Sequence, residues 1–195
     1  METANTKSIL LVGVGGQGTI LISKILTAGL TQLGYQVKMS EIHGMSQRGG
    51  SVTTQIKYGQ EVYAPNIGLA EADMIISFEK AEALRTLPYL KKGGSLITDE
   101  REIYPMPVLS GAAEYPHDAI DSIRAGGVNV TVIRAAETAE RLGNIKAQNI
   151  VLLGAFVKAM KLEQVNWEAL IGQYVPAKAK AMNLSAYKAG YEMNA

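Results

Sequence analysis

The segment Gly13-Val14-Gly15-Gly16-Gln17-Gly18 constrains the fold of this chain more than any other. It follows an apolar run, Ser8 to Val14, that lacks polar alternation, the pattern of a strand buried on both faces. It precedes Ile22, Ile25, Leu26, Gly29, Leu30 and Leu33, whose helical spacing predicts a helix from Thr19 to Gly34. Tyr35 to Ile42 reads as a second strand. A strand, a glycine turn and a helix in this order give the full context of the G-x-G-x-x-G fingerprint. There the glycines allow a tight turn and close backbone approach, and the first helical amides form an anion-binding concavity. A phosphate, a carboxylate or a partner's acidic side chain suits such a concavity. Thr19 stands where a Walker motif needs lysine, so the loop is not a P-loop.

Two readings of the loop stand side by side. Glu41 follows Gly18 by about 20 residues, where a dinucleotide-binding protein places its ribose-binding acid, so a free-standing NAD-binding protein using Gly13, Gly15, Gly18 and Glu41 is one candidate. In the other reading the glycines only let the helix pack closely on the sheet. Gln17 favours a functional loop, because its amide at the helix mouth both donates and accepts, which a purely structural turn would not need.

Farther along, Glu41 to Gly50 breaks all periodicity, and Val52, Thr54, Ile56 and Tyr58 then alternate with polar residues as in a half-exposed strand. Strands are expected at Asp73 to Ser77, Ser95 to Thr98 and Val128 to Ile133, and helices at Glu79 to Lys92 and Pro116 to Ala125. From Ala135 the pattern is helical: Ala135 to Leu142, Ala147 to Met160, Trp167 to Tyr174 and Pro176 to Met193. The alternation predicts an α/β fold, a Rossmann-like three-layer arrangement around a mostly parallel sheet with a helical C-terminal segment, as one domain over residues 1–195. Gly93-Gly94 and Gly126-Gly127 follow basic residues and are expected as helix C-caps. Trp167 and the Leu184, Tyr187 and Tyr191 stripe read as core.

Composition narrows the chemistry. The 195 residues include no cysteine, which leaves no thiolate for a zinc site, a nucleophile or an iron-sulfur cluster. His43 and His117 lack the spacing of a metal site, so no metal is expected, and His117 reads as a surface residue. With 19 basic and 18 acidic residues and no basic run, nucleic-acid binding is not expected. The apolar runs are too short for a membrane span and the N-terminus has no basic leader, so a cytoplasmic protein away from membranes is expected.

A second loop carries the most polar chemistry. Glu41-Ile42-His43-Gly44-Met45-Ser46-Gln47-Arg48-Gly49-Gly50 lies between strand ends, and Arg48 offers a planar fork for a carboxylate or phosphate. In an open α/β sheet, loops at the carboxyl ends of strands surround the ligand crevice, so the two glycine loops are expected to be neighbours. Taken with Ala147-Gln148-Asn149-Ile150-Val151-Leu152-Leu153-Gly154-Ala155, these segments resemble the gamma-type domain of 2-oxoacid:ferredoxin oxidoreductases. The resemblance spans nearly the whole chain. Within that superfamily they look most like the small (beta) subunits of the indolepyruvate branch, and His43, Ser46 and Gln47 carry that distinction.

The resemblance implies a small subunit whose large (alpha) partner holds thiamine diphosphate and iron-sulfur clusters and passes electrons to ferredoxin. Together they would decarboxylate aromatic 2-oxoacids oxidatively, with coenzyme A as co-substrate. It implies no NAD site, so Glu41 becomes a structural or interface residue. Gly13, Gly15, Gly16, Gln17 and Gly18 are the candidate cofactor-binding or interface loop. His43, Ser46, Gln47, Arg48, Gly49 and Gly50 are the candidate substrate-site or interface loop. A purely structural interaction subunit remains the alternative within this class.

Overall fold

The structure, a computed structural model, describes residues 6–43 and 49–193, with His43 described through its backbone alone. Ser46, Gln47 and Arg48 therefore lie outside the described residues. Six strands form one sheet in the order β2-β3-β1-β4-β5-β6: β1 (Lys7–Val14), β2 (Gln36–His43), β3 (Ser51–Gly59), β4 (Ala72–Ser77), β5 (Leu90–Asp99) and β6 (Asn129–Ile133). The β1–β4, β4–β5 and β5–β6 pairs are parallel, whereas β3 runs antiparallel to both β1 and β2.

Alternate residues of β1 point to opposite faces, as strand geometry requires. Ile9 and Leu11 enter the larger core with α1 (Thr19–Gln32), α5 (Ala135–Arg141), α6 (Gln148–Met160), α7 (Trp167–Tyr174) and α8 (Lys180–Glu192). Leu10 and Val12 enter the smaller core, which Ala83 of α2 (Lys80–Thr86) and Ile123 of α4 (Ala119–Ala125) close. Helices thus cover both faces, and the unalternated apolar run of β1 is explained. Because α1 leaves β1 on one face and α2 leaves β4 on the other, the carboxyl ends of these neighbours form a topological switch point, where open α/β sheets place their ligands.

Four expectations need correction. The predicted helix from Glu79 to Lys92 ends at Thr86; a 3-10 turn, Leu87–Tyr89, follows, and β5 starts at Leu90. Pro88 favours that early stop, because its ring is incompatible with a continuing helix. Gly93-Gly94 is consequently not a C-cap but lies within β5, at an irregularity in the β4–β5 register where Gly93 has φ +78°. Gly126-Gly127 does close α4, with the Gly127 amide donating to the Arg124 carbonyl at 2.9 Å and φ +71°. β3 is not half-exposed: as a central strand it buries Thr54, Gln55 and Ile56, and the Gln55 Oε1 accepts from the Ile67 amide of the segment that crosses over it, at 2.9 Å. A short helix, α3 (Met106–Leu109), was not expected at all.

Candidate functional site at the sheet's switch point

The antiparallel return of β3 brings the two loops together. Val14 pairs with Ser51 and His43 pairs with Val52, so the end of β1, the end of β2 and the start of β3 share one sheet edge. The Gly15 amide donates to the Gly50 carbonyl at 2.8 Å, joining the loops directly. Their expected proximity is thereby realised for Gly13, Gly15, Gly16, Gln17, Gly18, Gly49 and Gly50.

The glycines have separate tasks. A Cβ on Gly13 would stand 2.9 Å from the Phe78 Cβ, too close for packing between β1 and the end of β4. Gly18, at φ +81°, is the N-cap of α1, and a Cβ there would lie 2.3 Å from the Asn149 Nδ2. Among the described residues no side chain caps α1, and no acid occupies its first turn. Among the described residues, the Gly16, Gly18, Thr19 and Ile20 amides donate to no protein group. They face the need that defines an anion-binding helix start.

A cleft of about 330 Å³ opens beside these amides, between Gly15, Gly16, Gly18 and Ile20 on one side and Glu41, Ile42 and Val52 on the other. Ile20 and Ile42 are 46% and 53% exposed and form apolar lips. Glu41 Oε1 lies 3.5 Å from the Ser23 hydroxyl of α1. The position of Glu41 differs from the dinucleotide arrangement, because β3 is inserted between β1 and β2 and sets Glu41 two strand spacings, about 10 Å, from β1. On the other side of the glycine loop, a cleft of about 530 Å³ lies between Gly49-Gly50 and the Tyr104–Leu109 segment, with Glu79 at its wall.

Gln17 does a different job from the one its sequence position suggested. Its Oε1 accepts from the Val14 amide at 2.7 Å, and its Nε2 donates to the Phe78 carbonyl at 2.8 Å. The turn itself uses both ends of the amide, so their presence does not by itself argue for a ligand. Behind Gln17 lies a polar hub that sequence reasoning missed. The Gln148 Nε2 donates to the Phe78 carbonyl at 2.7 Å and to Asp99 Oδ2 at 2.8 Å. Its Oε1 accepts from Arg101 Nη1 at 2.9 Å and from Gln17 Nε2 at 3.4 Å. Asp99 also accepts from the Ala136 amide at the start of α5, at 2.7 Å. Burial pushes the Asp99 carboxyl up to about 6, against the pull of these amides and of Arg101. The available signal was the pair Gln148-Asn149 opening an otherwise apolar helix, where buried amides demand partners.

Farther along the same edge, Glu79 caps α2 through the Glu82 amide at 2.9 Å and also receives Tyr115 and the Ile103 amide, the latter at 3.3 Å. Its burial raises its pKa. Lys80 pairs with Glu102 and, with His117 at 3.1 Å and Tyr104, holds that carboxyl down to about 2. His117 is a surface residue, as expected, with its side chain 65% exposed.

No helix among the described residues is long and apolar enough to cross a membrane. Among the same residues no group of three or more ligating side chains could hold a metal ion. The fold and site thus define a class: an α/β chain that presents a glycine-loop amide cradle beside a second loop at a sheet's switch point. The family model described as pyruvate ferredoxin/flavodoxin oxidoreductase matches residues 8–193, and the chain belongs to that family of oxidoreductases. It is 36% identical over 190 residues to the indolepyruvate oxidoreductase subunit IorB of Thermococcus kodakarensis, covering 94% of this chain and 93% of that one. Its fold is similar to the gamma subunit of a keto/oxoacid ferredoxin oxidoreductase from Geobacter sulfurreducens, with a TM-score of 0.69 at 22% identity over 95% of this chain and 96% of that one. It is also similar to part of the 2-oxoglutarate:ferredoxin oxidoreductase of Magnetococcus marinus, solved with 2-oxoglutarate, coenzyme A and succinyl-CoA bound. There the TM-score is 0.75 at 20% identity, over 97% of this chain and 31% of that one.

Proposed function

We propose that this chain is the small subunit of a cytoplasmic indolepyruvate (aryl-pyruvate):ferredoxin oxidoreductase, which converts aromatic 2-oxoacids and coenzyme A to aryl-acetyl-CoA, carbon dioxide and reduced ferredoxin. The large subunit would hold thiamine diphosphate and the iron-sulfur clusters. The donor set supports that division, since a chain without cysteine offers no thiolate to a cluster. The observation that carries the site reading is the junction of the two loops: the Gly15–Gly50 bond, with the Gly16, Gly18, Thr19 and Ile20 amides donating to no protein group among the described residues. Coenzyme A brings phosphates suited to such amides, so the glycine loop faces this co-substrate. Gly49 and Gly50 let it approach the backbone, and His43, Ser46, Gln47 and Arg48 are the second loop's candidate substrate-site or interface residues. The identity to the Thermococcus subunit supports an aromatic substrate.

The test is reconstitution with the large subunit. Acceptor reduction should require both chains and coenzyme A, and indolepyruvate should outperform pyruvate and 2-oxoglutarate. The chain alone should be colourless and inactive. Turnover by the isolated chain, or a preference for a non-aromatic acid, overturns the proposal. Tight NAD(H) binding weakened by Glu41→Ala would instead establish a dinucleotide protein. Full turnover in an assembled Arg48→Ala complex would remove that residue from the site.

A further inference from the structure

We propose that Gln148, at the first turn of α6, is a positioning residue that sets the shape of the glycine loop for the co-substrate. The inference rests on the reading that this loop faces coenzyme A. Gln148 is only 2% exposed and does not reach the cleft, so it acts through others.

The geometry makes it the hub of the switch point. Its Nε2 and the Gln17 Nε2 both donate to the Phe78 carbonyl, filling the two lone pairs of an oxygen at the end of β4. Its Oε1 receives Gln17 and Arg101 together. Gln17 carries the constraint onward, because its other end holds the Val14 amide where β1 enters the turn. Asp99 fixes Gln148 from below while also anchoring α5. The next residue, Asn149, donates to the Gly18 carbonyl at 3.3 Å, so α6 braces the loop at both ends. The Asn149 Oδ1 has no partner among the described residues although it is buried. A helix start that only filled the core would be made of apolar residues, as the run Ile150 to Val157 is. Buried amides, one of them with an unsatisfied oxygen, are costly, and their concentration behind one loop marks a position held for function.

Gln148→Met preserves side-chain length and removes both the donor and the acceptor of the amide. In the reconstituted complex, the KM for coenzyme A should rise roughly tenfold or more, as small misplacements of binding groups do. The KM for indolepyruvate and the subunit stoichiometry should stay unchanged. Gln17→Met should shift the same constant, and the double variant should be no worse than the more affected single, because the two act in series. Asn183→Leu, at a buried amide on α8 that bonds the Ala179 carbonyl at 2.8 Å, controls for lost stability and should leave both KM values alone. A lowered kcat with unchanged KM values, or independent effects of Gln17 and Gln148, overturns the proposal. If Gln148→Met fails to fold, Gln17→Met alone decides it, by shifting the KM for coenzyme A or leaving it unchanged. A wild-type complex that ignores coenzyme A refutes the functional reading first and removes this inference with it.

Discussion

Asp99 titrates in a range where the fold should report it. In an unfolded chain its carboxyl has the ordinary value of 3.8, whereas burial in the folded chain raises it to about 6. Between these values the folded state holds a proton that the unfolded state releases, so stability falls as pH rises through the window and levels off above it. At one pKa unit per 1.36 kcal/mol, the full penalty is about 3 kcal/mol, of which roughly 2 kcal/mol develops between about pH 4.5 and 7.5.

Asp99→Asn removes this titration while keeping an oxygen for the Ala136 amide and Gln148. The variant carries a fixed cost or gain of its own, because its new NH₂ needs an acceptor. That contribution does not depend on pH. Every other ionisable group is common to both proteins, so the difference between their unfolding free energies isolates Asp99. Urea unfolding across the window should show the variant gaining on wild type by about 2 kcal/mol as pH rises, a relative shift in Tm of roughly 4–8 °C. A difference that stays flat with pH, or moves toward wild type, would refute the claim that the buried carboxylate is an electrostatic cost.

Three other perturbations probe separate parts of the molecule. A Cβ on Gly190 of α8 would stand 1.9 Å from the Val151 carbonyl oxygen of α6, so Gly190→Ala should destabilise by about 2 kcal/mol or more through forced separation of the helices, measured by thermal unfolding. Ile20→Asp and Ile42→Asp alter exposed lips of the smaller cleft; they should change stability by less than about 0.5 kcal/mol yet weaken coenzyme A use by the complex. Lys80→Met leaves Glu102 without its main cation and the His117 carbonyl without its donor, so limited proteolysis should cut within residues 104–114 several-fold faster than in wild type, by mass spectrometry.

The sequence made the β1–α1 unit legible because two strong signals coincided there, an unbroken apolar run and glycines with defined backbone tasks. The helical C-terminal segment was equally readable: Trp167 is 2% exposed, and its indole donates to the Leu162 carbonyl at 2.7 Å. The Leu184, Tyr187 and Tyr191 stripe packs on its own core, as its spacing implied. The stretch from Glu79 to Lys92 failed for a physical reason: Ala83, Leu84 and Leu87 keep helical spacing up to Pro88, and the residues after it pair instead with β4. Tertiary pairing overrode local pattern there. The burial of β3 was illegible because its alternation looks like that of an edge, and the chain crossing above Gln55 covers part of its polar face.

The inserted strand also separates this loop from the dinucleotide fingerprint it matches. In a doubly wound nucleotide fold the second strand lies directly beside the first, which brings its terminal acid close to the glycine turn. Here β2 is reached by the same strand–loop–helix path, but β3 occupies the adjacent lane. The acid is displaced, and the space it would have commanded is lined instead by β3, whose Val52 and Thr53 now face the amides across the cleft. The same insertion places Gly50 against Gly15 and thereby joins the end of the second loop to the first. One topological change thus weakens a self-contained ribose site and creates a composite edge from two glycine-containing segments. An edge of this kind needs bracing from behind, which Gln17, Gln148 and Asp99 provide, and it leaves the open side to whatever the assembled enzyme brings against it.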